Sequence, residues 1–219
     1  MMLERNADSG SINTTGAVIL AAGSGSRLGH RPKCLLELDG VPLIQRQIRA
    51  ISALGPIEIV IVLGHHSHLI APFLLDQPVT TTYQPSDHHH QSDSVRLGVS
   101  KLSPQVRNVL ICPSDLPLLN AQDYRAVFNT FQRRPPTVHF VGPEVDGIPG
   151  HPVIFDGEIK DQITSGNKTF GSGAWRQAHH AHSLRWRSNN THFIRDIDSE
   201  EDRTRFEFET QRQLRWPKA

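Results

Sequence analysis

Short apolar runs alternate with amphipathic stretches along this chain. Residues 17–22, 57–63, 108–112 and 137–141 are brief and mostly apolar, the pattern of strands buried on both faces. Between them, residues 42–54 carry apolar side chains at 43, 44, 48, 51 and 54, with Gly55-Pro56 beyond. That spacing predicts a helix and its stop. Residues 95–102 and 124–131 are patterned similarly. Residues 192–195 predict a further strand, and Ser199 followed by Asp202 predicts a capping box opening a last, charged helix. Alternating β and α elements imply a largely parallel sheet covered on both faces. No internal repeat and no Pro/Ser linker divides the chain. A loose polar tail over 1–15 is expected to precede one domain over 16–219. Residues after 142 are less regular and richer in Gly and His, and are expected to build the second half of a cleft.

Composition narrows the function classes. The 219 residues suffice for one sizeable core. A net charge of +1 gives no global field favouring nucleic acid or an anionic membrane. At 6% aromatics, the chain is poor material for a base-stacking platform. No run approaches the roughly 20 apolar residues that span a bilayer. The first residues lack the apolar centre of a secretory signal. Cys34 and Cys112 show neither metal spacing nor a disulfide framework, which points to a reducing cytoplasm. Most of the 13 histidines cluster, at 65, 66 and 68, at 88–90, and at 179, 180 and 182. None has a zinc-type spacing, so they read as polar loop residues, with adventitious metal binding open to the 88–90 run.

The most informative stretch is 18–33. There an apolar run leads into Ala22-Gly-Ser-Gly-Ser-Arg27 and on to Pro32-Lys33. Gly23 and Gly25 leave backbone N–H groups free to approach an anion, and Arg27 and Lys33 bring charge to a polyphosphate. Glycines at 23, 25 and 29 are one residue too long for the dinucleotide fingerprint, and no Gly-Lys-Ser/Thr follows for a Walker loop. Farther on, the strand at 108–112 delivers Asp115 to its carboxyl end. A carboxylate there suits Mg²⁺, which commonly takes one or two carboxylates plus phosphates. A turn aspartate between Pro113 and Pro117 is the plainer alternative.

The run from Leu20 to Leu43 resembles the opening signature of the nucleotidyltransferase superfamily. More narrowly, it resembles the branch of molybdenum cofactor cytidylyltransferases and molybdopterin-guanine dinucleotide synthases, the MobA-like NTP transferases. Its Ala-Ala-Gly form is similar to the cytidylyl members. The resemblance implies a Rossmann-like three-layer α/β/α sandwich with a mainly parallel sheet, of the nucleotide-diphospho-sugar transferase type. It implies nucleotide binding by Leu20, Ala21, Ala22, Gly23, Ser24, Gly25, Arg27 and Lys33, with Arg27, Lys33 and Asp115 catalytic. Asp115-Leu-Pro resembles the branch's Asp-Met-Pro, whose aspartate binds Mg²⁺. Asp196-Ile-Asp198 resembles the closing pattern and implies Asp196 as second metal ligand, with Asp198 as runner-up. Acids beside a helix N-terminus are the ordinary reading of that pair.

Gln91–Gly98 resembles the base-reading segment. Ser94 is thus a candidate to hydrogen-bond the base, or else a helix N-cap, and Tyr83-Gln84-Pro85 a candidate wall of the base pocket. Gly150-His151-Pro152 resembles the acceptor side. Gly166-Asn167-Lys168 falls where relatives tend to have Gly-Asp-x-Gly, and Phe170–Trp175 matches nothing in the family. The expected activity is Mg²⁺-dependent transfer of a nucleoside monophosphate, CMP from CTP first, onto a phosphate-bearing acceptor such as molybdopterin. A molybdoenzyme or chaperone is a conceivable transient partner. A sugar or polyol phosphate acceptor, GTP as donor, and a non-catalytic cofactor carrier are the alternatives.

Overall fold

The computed structural model describes residues 11–85, 90–165 and 172–217. Residues 1–10, His88, His89, Gly166-Asn167-Lys168 and Phe170 lie outside the described residues.

The strands are β1 (Thr15–Ala21), the two-residue β2 (Glu37–Leu38) and β3 (Val41–Pro42), β4 (Glu58–Leu63), β5 (Thr80–Tyr83), β6 (Asn108–Pro113), β7 (Phe140–Val145), β8 (Ile148–Pro149), β9 (Val153–Asp156), β10 (Ser183–Arg187) and β11 (Leu214–Arg215). The helices are α1 (Leu43–Ser52), α2 (Ser67–Ile70), α3 (Gln91–Ser100), α4 (Ala121–Gln132), α5 (Gly157–Thr164), α6 (Ser172–Ala178) and α7 (Glu200–Thr210). The main sheet runs β10-β7-β9-β6-β1-β4-β5, with β8 on β7. β1 pairs in parallel with β4 and β6, and β4 with β5. β9 is antiparallel to both β6 and β7, and the short β8 is antiparallel to β7.

All of β1 is buried, and its side chains alternate between two cores, as the pleat requires. Ala17, Ile19 and Ala21 pack with Ile44 and Ile48 of α1 and with Tyr124 and Phe128 of α4. Val18 and Leu20 pack with Val95 and Val99 of α3, Ile159 of α5 and Trp175 of α6. Each Val, Leu or Ile side chain among them is worth about 1.5–3 kcal/mol when fully buried. The result is a mostly parallel sheet with helices on both faces. In α3, a Cβ on Gly98 would lie 2.3 Å from Val18 Cγ1, so the missing side chain lets this helix sit close to the sheet.

A third core joins distant parts of the chain. Leu28, Leu36, Leu38 and Leu43 meet Ile197, Phe206 and Leu214, under the small sheet β11-β2-β3. It fastens the segment after β1 to the segment before α7.

Three expectations are corrected. Of the expected tail, residues 11–15 are structured. Ser11 caps a 3-10 turn over Ile12–Thr14, and Thr15 opens β1. The strand expected over 137–141 begins only at Phe140, because Pro135-Pro136 sets a turn in which Val138 N–H donates to Pro135 O at 3.0 Å. Residues 192–195 form no strand. The Asn190 side chain accepts from His192 N and opens a 3-10 turn instead.

Candidate active site

From β1 the chain passes to β4 and β5 on one side, then returns to β6 on the other. The carboxyl ends of β1 and β6 therefore flank a topological switch point, where open α/β sheets bind ligands. A cleft of about 470 Å³ opens there. Leu20, Ala22, Gly23, Ser24, Lys33, Ser94 and Asp115 line it, as do His30, His65, Gln84, His90 and Gln91. Of the other expected nucleotide residues, Ala21 points into the core. Gly25 shapes the loop, and Arg27 lies at the rim with its side chain 69% exposed.

The loop is built for close backbone approach. Gly25 has φ +62°, and a Cβ there would lie 1.9 Å from Arg31 O, so only glycine fits. Leu28 N–H and His30 N–H both donate to Gly25 O, at 2.8 and 3.0 Å. His66 Nε2 lies 2.9 Å from Ser24 O and braces the loop. A Cβ on Gly23 would meet nothing within 4 Å. No protein contact demands glycine at that position, and the space before it is open to a ligand.

Lys33 begins a 3-10 turn whose next residues, Cys34 and Leu35, are buried and anchor it. Its Nζ donates to Asp115 Oδ2 at 2.7 Å and also to Asp198. Arg27 Nη2 donates to Asp198 Oδ2 at 2.7 Å. Burial pulls the Lys33 pKa down, but Asp115 and Asp198 outweigh it and hold the ammonium charged, above its ordinary value. Asp198 experiences the converse. Burial opposes its charge, yet Lys33 and then Arg27 hold it below the ordinary range.

Ile197 sits between the two acids and is buried in the third core. Its N–H donates to Asp115 O at 3.0 Å, which fixes Asp196 and Asp198 beside the β6 end. The Ser199–Asp202 capping box then starts α7. Asp196 reaches solvent and pairs with neither cation. Desolvation by the surrounding protein, then repulsion from Asp115 and Asp198, raises its pKa. Asp115 Oδ1 is shielded from solvent and has no hydrogen-bond partner. A free buried carboxylate oxygen beside an uncompensated carboxylate fits a divalent cation. Among the described residues no three His, Cys, Asp or Glu converge on a metal position, and a divalent cation held by one or two carboxylates takes its remaining ligands from water or phosphates.

Ser94 is buried in the first turn of α3, where it donates to Gln84 and ties β5 to the helix. It is not the N-cap, a place that falls to His90. Gln84 lines the cleft, whereas Tyr83 is 56% exposed. On the acceptor side, Gly150 and Pro152 are buried about His151. His151 N–H donates to Phe193 O at 2.8 Å, and its Nδ1 is shielded and unpartnered. Burial holds the imidazole below its usual pKa, against the pull of Asp115, and Arg176 pushes it the same way.

Both cysteines are free and buried. Burial, with Asp115 adding, pushes the Cys34 thiol up to about 12, so neither is a ready nucleophile. Among the described residues no helix is long and apolar enough to cross a membrane.

Sequence reading missed His30, His65 and His90 as cleft residues, whereas Gln84 and the segment opening at Gln91 were already candidates for the base pocket. His30, at φ +56°, belongs to the loop already singled out. The other two follow from where β4 ends and α3 begins.

Residues 17–183 match the MobA-like NTP transferase domain, and the chain belongs to that family. It is 34% identical over 115 residues to the bifunctional protein GlmU of Mycobacterium avium, covering 49% of this chain and 23% of that protein. It is 31% identical over 141 residues to 2-C-methyl-D-erythritol 4-phosphate cytidylyltransferase of Streptomyces coelicolor, covering 61% and 52%. The chain thus spans about half the length of that relative, and less of the first. A solved nucleotidyl transferase from Methanothermobacter thermautotroptrophicus superimposes with a TM-score of 0.72 at 20% identity, covering 91% of this chain and 98% of that one. A manganese complex of Rv0371c from Mycobacterium tuberculosis gives 0.67 at 17%, covering 88% and 97%. At these identities the structural matches establish the fold, a nucleotidyltransferase-type sandwich.

Proposed function

We propose that this chain is a divalent-metal-dependent nucleotidyltransferase. It moves a nucleoside monophosphate from an NTP, CTP first, onto a phosphate-bearing acceptor and releases pyrophosphate. The observation that carries this is the meeting of Lys33, Asp115 and the 196–198 acids at the carboxyl ends of β1 and β6, beside an open glycine loop. The name of the Streptomyces relative, a cytidylyltransferase, supports CTP.

An oxygen of the acceptor phosphate would bond to the α-phosphorus while the α–β bridging P–O bond breaks, with that electron pair leaving on pyrophosphate. No protein nucleophile is required, and catalysis rests on alignment and charge neutralisation. The Gly23–Gly25 backbone and Lys33 bind the triphosphate, Arg27 meets the leaving pyrophosphate, and Ser94 and Gln84 read the base. Asp115 and Asp196 would hold the metal, Mg²⁺ as first choice. When bound, it supplies charge neutralisation and orientation of the phosphates. Residues 16–219 act as one domain in this reading, in a reducing cytoplasm.

For the acceptor, the signature around 18–43 favours molybdopterin. The polyol phosphate named for the Streptomyces relative supports a second reading with the same chemistry. The test is pyrophosphate release with each of the four NTPs and Mg²⁺, with and without molybdenum-loaded molybdopterin. Release from CTP only with the pterin is expected. Turnover with a polyol or sugar phosphate alone would replace the acceptor, GTP preference would replace the donor, and tight NTP binding with no release would leave a carrier.

A further inference from the structure

The edge that holds the nucleotide cleft continues past Asp115. Because β9 is antiparallel to β6 and β7, its start lies at the same edge as their carboxyl ends, and it brings His151 there. β10 runs parallel to β7, with Arg185 opposite Gly142. By the two-residue pleat, Phe140, Gly142 and Glu144 share one sheet face with Arg185. That face carries α6. Trp175 stacks on Phe140 with ring centroids 6.5 Å apart, and its Nε1 donates to Gln162 of α5 at 2.8 Å. The helix is therefore anchored one residue before Arg176.

The charges on this face do not balance. Glu144 is committed to Arg185 at 3.0 Å, while Arg176 shares the same carboxylate's neighbourhood and feels Arg185 as a like charge. Arg176 Nε is shielded from solvent without a hydrogen-bond partner, as is His151 Nδ1. Shielded polar atoms left unpaired are costly, and a bound ion or ligand is one standard resolution. Glu144 pairs with Arg185, which leaves the neighbouring Arg176 charge for an incoming anion, and the guanidinium fork matches a phosphate in two places.

We propose that Arg176, supported by Arg185 and His151, forms the subsite that grips the phosphate of the acceptor. This rests on the nucleotidyltransferase reading above and deepens it by assigning the residues that hold the acceptor phosphate, on the α6 side of Asp115. Nucleotide and acceptor then occupy opposite flanks of β6, with Asp115 between them.

The test titrates inorganic phosphate by calorimetry into the full chain saturated with a non-hydrolysable CTP analogue and Mg²⁺. Filling the triphosphate site first confines the probe to the other flank. R176A is expected to weaken phosphate binding at least tenfold, R176K by a few-fold and R185A by an intermediate factor, with affinity for the analogue unchanged within twofold. R176Q keeps most of the side chain's bulk and carries the same comparison if R176A lowers the melting temperature. Phosphate affinity indifferent to R176A and R176Q overturns the subsite, as does a wild-type chain that binds the analogue but no phosphate. Failure of the wild-type chain to bind the analogue at all overturns the nucleotidyltransferase reading itself.

Discussion

The two flanks of β6 are equipped in opposite ways. On the β1 side, both cations are already answered by protein anions. Lys33 lies against Asp115 and Asp198, and Arg27 against Asp198. On the β9 side, His151 and Arg176 keep shielded nitrogens without partners. A triphosphate entering the first flank must take its cations from Asp198, so part of its binding energy goes into exchanging one anion for another. An anion entering the second flank displaces no protein partner of Arg176 Nε. In the proposed reading, the first flank is held in shape before substrate arrives and the second would be completed by substrate. A folded protein can thus discriminate strongly at one flank and accept varied anions at the other.

The sharpest way to break this comparison is to empty the first flank. Lys33→Ala should lower turnover by roughly 10²–10³-fold, the scale for losing a donor to developing charge, with little change in melting temperature. Wild-type pyrophosphate release in that variant would remove Lys33 from the chemistry. Asp115→Asn should cost about as much and should also raise the metal concentration needed for half-maximal rate. An unchanged metal titration would exclude Asp115 as a ligand.

The paired acids sharpen the comparison further. Asp196→Asn should reduce turnover yet raise the melting temperature near neutral pH. The fold raises the Asp196 pKa, so ionisation is disfavoured in the folded state. The resulting penalty is present above that raised value and absent below the unfolded value near 3.8. The gain from the asparagine should therefore vanish in acid. At subsaturating Mg²⁺, wild-type rate should fall as pH drops toward the raised pKa, and excess Mg²⁺ should restore it. A melting temperature lowered by Asp196→Asn at neutral pH would refute this assignment.

Asp198→Asn should instead tighten NTP binding in the absence of metal by roughly two- to fivefold, the worth of a partly exposed ion pair. Weaker NTP binding would show that Asp198 supports the ligand rather than competing with it. The smallest effect is expected from Ser199→Ala, about 1 kcal/mol of stability from the lost cap, seen in chemical denaturation with KM for NTP unchanged.

The same contrast explains what could be read from the sequence. The apolar run at 17–22, the glycine loop and Lys33 are contiguous, so their pattern specified β1 and half the cleft. Helix α1 and the Ser199–Asp202 box were equally legible, because helical period and capping are local. Strand direction is not local. Nothing in the four residues of β9 announces that they run antiparallel, yet that reversal carries His151 to the edge where Asp115 stands. Residues 192–195 suggested a strand from composition alone, and the Asn190 side chain decided otherwise. Arg176 lies in no motif, and its setting depends on Trp175 finding Phe140 across the sheet. His65 became a cleft residue only through the sheet order.

Lys33 and Asp198 stand 165 residues apart, and the burial of Ile197 in the third core anchors the segment that carries both acids. The segment that supplies Asp196 and Asp198 comes late in the chain, long after the glycine loop. At about 5–20 residues per second, a ribosome needs on the order of ten seconds to make the stretch between them. During that interval the loop and Asp115 can fold against the emerging sheet, but no pair of acids closes beside them. In the proposed reading, a nascent chain therefore holds an incomplete metal site, which closes only as the last helix docks.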